Sequence, residues 1–210
     1  MKVSSDFKCD QRAEQVLKLS KEVLGSNLIE IGVVALKLSE NFETSKATFE
    51  AKLLEISQGQ PKEKNITGEG VGLVDACFDA LIKCYNQTFC SLDSISIEDF
   101  IVSVHLERAS LRKSDSKISA LLRVKNSLDH EYSFQSTTTS ISRSSVSVVQ
   151  EAVAFFINAE FAYEKLYRAL EDAKERARHD LVERYQNQMA TLVHATSYEK
   201  LVEKLRKEKK

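Results

Sequence analysis

The sequence predicts an α+β fold made of two β-β-β-α units, with an N-terminal helix before them and a long helical extension after them. Three observations lead there. All six glycines lie at or before Gly72 and the only proline is Pro61, so the rest of the chain has no conventional helix breaker. Paired segments rich in β-branched residues, partly alternating apolar with polar, precede a helical stripe. The same order then returns at a spacing of 72 residues.

Residues 8–24 set Val16, Leu17, Leu19, Val23 and Leu24 on a helical stripe, and Gly25 follows as a C-cap. Residues 28–40 and 46–56 read as two antiparallel strands joined by the polar turn NFETS. After a loop, SQGQPKEKN, a short strand or turn around Ile66 leads into a glycine-rich bend. A helix then faces Leu73, Ala76, Cys77, Ala80, Leu81 and Cys84 inward.

Shifting the chain by 72 lays residues 100–112 under the first strand, 117–126 under the second, and 136–153 under the bend and helix. Thr67 falls on Thr139, Val74 on Val146 and Ala80 on Ala152, while Gly68, Gly70 and Gly72 fall on Ser140, Ser142 and Ser144. From Ser144 the helical pattern runs on for some 45 residues, as one long helix or two separated by a kink, and a last helix starts with Ser197 as its N-cap. The expected organisation is an N-terminal helix (1–25), a duplicated α+β domain (26–162, units about 28–88 and 93–162) and a helical extension (163–210).

At 210 residues and 23.7 kDa, the chain is shorter than the roughly 250 residues of a (β/α)8 barrel enzyme. Thirty basic against 31 acidic residues leave no net field to draw in nucleic acid or an anionic membrane. No apolar window reaches the length of a membrane span and the first residues carry no export pattern, so a cytoplasmic protein is expected. Cys9, Cys77, Cys84 and Cys90 then read as free thiols, with core packing the expected role of Cys77 and Cys84.

No catalytic, metal or cofactor site emerges from the residues. His105, His130, His179 and His194 are scattered and sit in no ligand or nucleophile motif. GEGVGLVDA lacks the spacing of a dinucleotide fingerprint. It does offer a bend opening a helix, where a small carboxylate could approach backbone N–H groups; a tight turn packed on a neighbouring helix is the competing reading. The hydroxyl-rich stretch 133–147 with Arg143 suits anion binding or phosphorylation, or, as the favoured reading, a strand edge leading to a Ser N-cap.

The segment GEGVGLVDACFDAL resembles the C-terminal regulatory, or dimerisation, domain of 2-isopropylmalate synthase and citramalate synthase. Gly70, Gly72, Val74, Asp75 and Ala76 match the family's GxGPVDA-type turn, with Leu73 where proline is usual, and the resemblance spans roughly residues 26–162. It implies two β-β-β-α units related by a pseudo-twofold, a homodimer, and a leucine or isoleucine effector at Gly68, Gly70, Gly72, Asp75 and Ala76. The second turn departs from the family in having serines, and the catalytic barrel is missing. The expected function is therefore a non-catalytic regulatory module acting on a separate synthase subunit, the alternative being a scaffold that engages a partner through its C-terminal helices.

Overall fold

The computed structural model describes residues 11–105 and 116–208. Cys9 and the expected first residues of the opening helix lie outside the described residues, as do residues 106–112 of the expected strand and the final lysines. The architecture is α+β. Among the described residues, two three-stranded antiparallel sheets, each in sequential strand order, pack with five α-helices.

Helix α1 (Gln11–Leu24) buries Val16, Leu19 and Leu24, and Gly25 ends it at φ +53°, a left-handed conformation that glycine adopts without penalty. The first sheet follows as β1 (Glu30–Asn41), β2 (Lys46–Ser57) and β3 (Gln60–Gly70). The Asn41 side-chain oxygen accepts from the Glu43 and Thr44 amides and so shapes the β1–β2 turn.

The weak third strand expected around Ile66 is a full eleven-residue strand, and most of the segment expected as a loop belongs to it. Gln58 (φ 55°) and Gly59 (φ 70°) make a two-residue turn between the paired Ser57 and Gln60, matching a type I′ hairpin. Pro61 is tolerated because β3 is an edge strand and Pro61 stands near its start. The polar residues that suggested a loop pair across the ladder, Lys64 with Glu55 at 2.5 Å and Glu63 with Lys52 at 2.7 Å.

Helix α2 (Leu73–Tyr85) lies on β2 and β3 and buries Ala76, Cys77, Ala80 and Leu81 against Phe49, Ala51 and Leu53 of the same apolar core. A 3-10 turn at Cys90–Ser94 leads to the second sheet, β4 (Ser96–His105), β5 (Lys117–Lys125) and β6 (Glu131–Thr138), and then to α3 (Ile141–Glu175). The β-β-β-α order therefore occurs twice.

Its register differs from the constant 72-residue shift. Both opening strands carry a one-residue bulge, at Val34 and at Glu98, which are 64 residues apart. Ala47 pairs with Gly70 as Ile118 pairs with Thr138, separations of 71 and 68, and the helix N-caps Gly72 and Ser140 are again 68 apart. The second hairpin has shorter strands and the five-residue turn Asn126–His130, so one linear shift cannot follow the pairing. Gly68, Gly70 and Gly72 thus correspond to Ser136, Thr138 and Ser140.

The long helical pattern divides into α3 and α4 (His179–Leu192), and α5 (Glu199–Glu208) closes the chain. From Val146 to Ala162, α3 is buried on most sides: it contacts β5 and β6 on one flank, and β1, α1 and α2 elsewhere. Tyr132, Phe134, Phe155 and Phe156 form an aromatic cluster with centroids 5.1–5.7 Å apart. Met189, Leu192, Tyr198, Leu201 and Leu205 of the C-terminal segments join the same core.

Candidate functional site

Asp75 is exposed in the first turn of α2, and Gly72 is its N-cap with open space where a side chain would go. Gly68 and Gly70 are different. A Cβ on Gly68 would overlap the Ala76 carbonyl oxygen and the Ala80 nitrogen, and one on Gly70 would lie 2.5 Å from the Ala76 nitrogen. Their missing side chains let α2 settle directly on β3, with Ala76 completely buried between them. The five residues picked out from the sequence are brought together, but what approaches the Gly68 and Gly70 backbone is the helix.

The corresponding turn of the second unit is held by hydroxyls. Ser140 caps α3 by accepting from the Arg143 amide, and the Thr138 hydroxyl donates to the Ser140 carbonyl. This is the strand edge and Ser N-cap that the cap preference of serine favours.

A cavity of about 430 Å3 opens at the seam of the two units, between α1, the start of β1, β6 and α3. Leu17, Leu28, Ile31, Phe134 and Phe155 give it an apolar wall. The polar lining is helical: Ser147, Gln150, Glu151 and Asn158 lie three, four and eleven residues along α3 and so share a face. Asn158 pairs with the Ile29 backbone, accepting from its N–H and donating to its C=O, both at 2.8 Å, which fastens β1 to α3.

Gln150 is 9% exposed, and its Nε2 has no acceptor in the protein. It also lines a second groove that runs from Ser140 and Arg143 along Gly32–Leu36 of β1. Glu151 and Glu30 stand at the cavity rim, and burial raises the Glu151 carboxyl above its ordinary value. The helical pattern that runs on from Ser144 does not by itself single out Gln150, Asn158 or Glu160. The available signal was that these polar residues interrupt VVQEAVAFFINAEFAY, a run too apolar to leave them in solvent.

Glu160 is buried and accepts from the Cys90 and Ser91 amides at 3.1 and 2.8 Å and from the Ser91 hydroxyl, which caps the 3-10 turn. Among the described residues, the thiols do not form a reactive set. Burial raises Cys77 to about 12 and, with the Glu160 charge, Cys90 to about 11; burial also raises Cys84. Among the described residues, no group of three or more His, Cys, Asp or Glu side chains could hold a metal, and no helix is long and apolar enough to cross a membrane. Compared with known protein families and with curated proteins, the chain matches none.

Proposed function

We propose that this chain is a non-catalytic, cytoplasmic regulatory and dimerisation module of the kind it resembles. It binds leucine or isoleucine and transmits occupancy to a separate synthase subunit. The observation that carries this reading is the cavity at the seam: residues of α1 and β1 form one side of it, residues of β6 and α3 the other. A ligand there touches both units at once, so binding changes the free energy of their relative placement. Such coupling is typically about 1–3 kcal/mol. The volume falls within the range of small-molecule sites, roughly 300–1,000 Å3.

Calorimetry with leucine, isoleucine and valine tests the reading on the full chain. Heat of binding at millimolar ligand and a raised melting temperature support it. A flat trace with an unchanged melting temperature overturns it.

The closed glycine turn favours a second reading, a scaffold that keeps the duplicated sheets without an effector. A scaffold gives a flat trace while light scattering still reports a dimer.

A further inference from the structure

Building on the reading of the chain as an effector-binding module, we propose that the seam cavity recognises an aliphatic α-amino compound through its ammonium group and adjacent carbonyl oxygen. Glu151 takes the ammonium, Gln150 and Ser147 donate to the oxygen, and the side chain fills the space between Leu17, Ile31 and Phe134.

Each part follows from a feature of the lining. The Gln150 side-chain nitrogen is buried without an acceptor, which costs free energy that a small rotation of the amide toward an oxygen in the cavity recovers. Among the described residues that line the cavity, Gln150 is the one with such an orphaned donor, and Ser147 stands one helical turn before it. The charged lining consists of Glu30 and Glu151; among the described residues no Lys, Arg or His lines the cavity. A cation is complementary to that rim.

The carbonyl preference is sharper than that for a free amino acid. Two carboxylates repel a third, and Arg143 in the neighbouring groove is eight residues before Glu151, about 12 Å along the helix axis. An α-ammonium and its own carboxylate are far too close together to span those positions. A neutral carbonyl, as in an amino-acid amide, suits Gln150 without that repulsion. Partial burial of Glu151, which raises its carboxyl, makes an ammonium partner still more favourable there.

Four probes on the full chain test this by calorimetry: leucinamide, leucine, 3-methylbutylamine, which lacks the carbonyl, and 4-methylpentanoate, which lacks the ammonium. Leucinamide is expected to bind at least as tightly as leucine, and the other two about tenfold more weakly or worse, the scale of one hydrogen bond to a charged group. Glu151→Gln, which keeps the size and shape of the side chain at the cavity rim, is expected to lower leucinamide affinity by about tenfold with an unchanged melting temperature. Gln150→Leu should erase the advantage of leucinamide over 3-methylbutylamine.

Leucine binding that survives both substitutions overturns this site and leaves the sensing function standing. Leucinamide binding without leucine or isoleucine binding supports the site and overturns amino-acid sensing. 4-Methylpentanoate binding as tightly as leucinamide, or no heat with any probe, overturns the site.

Discussion

The hydroxyls of Thr138 and Ser144 lie 2.7 Å apart where β6 meets α3, and they occupy the place that Gly70 and Ala76 hold where β3 meets α2. One contact joins backbone to backbone; the other joins two short side chains. Ser144 is fully buried, donates to the Ile118 carbonyl at 2.9 Å and accepts from the Thr138 amide at 3.1 Å, so it links the end of β6, the start of β5 and the first turn of α3. Ser144→Ala leaves that carbonyl and amide without their partner and is expected to destabilise by about 1–3 kcal/mol. Urea denaturation at constant slope measures it.

The first unit makes the opposite prediction about size. Gly68→Ala and Gly70→Ala each drive a methyl into the backbone of α2, which cannot yield without lifting the helix. Losses of about 3 kcal/mol or more are expected, at or beyond the upper end for overpacked cores. Gly72→Ala meets open space at an extended φ of −169° and should change stability by less than about 1 kcal/mol. Thermal unfolding of the three variants separates a helix seat from a flexible turn. If Gly68→Ala and Gly72→Ala behave alike, the close approach of α2 is wrong.

Ala177 joins α3 to α4 at φ +54°. Its amide bonds the Lys174 carbonyl at 3.1 Å, and the Arg178 amide bonds the Ala173 carbonyl at 2.9 Å, the hydrogen-bond pair of a Schellman motif with alanine where glycine is usual. Ala177→Gly relieves the left-handed strain but adds backbone entropy to the unfolded chain. The balance is expected to favour stability by about 0.5–1 kcal/mol, read as a higher denaturation midpoint.

That junction shows what the sequence could and could not reveal. The possibility of two helices was legible, but not the place of the break, because Ala177 is a good helix former and only tertiary packing of α4 back on α3 forces it out of the helix. The Gln58-Gly59 turn was legible in principle, yet Pro61 and its five charged or amide neighbours, Gln60 and residues 62–65, outweighed it, since an edge strand can be as polar as a loop. The glycine motif was found, while its packing against α2 remained one of two readings. The cavity was missed because it gathers single residues from α1, β1, β6 and α3, and no local spacing encodes that meeting.

At the far end of the first sheet, Glu55 accepts from Lys64 at 2.5 Å and from the Tyr85 hydroxyl at 2.7 Å. Burial alone would raise the Glu55 carboxyl, but these hydrogen bonds and the Lys64 and Lys62 charges outweigh it and hold the group below 4.5. A depressed folded value means that the unfolded chain takes up the proton first. The stability Glu55 contributes is therefore fully present above the unfolded value and is lost as pH falls through the folded one. Urea unfolding between pH 6 and pH 3 should show stability falling below about pH 4.5, and Glu55→Gln should flatten part of that fall. Tyr85→Phe is expected to cost about 0.5–1.5 kcal/mol at neutral pH and to move the acid limb upward, because the carboxylate loses one of the donors that keep it ionised. An acid limb unchanged by both substitutions would place the acid-sensitive group elsewhere.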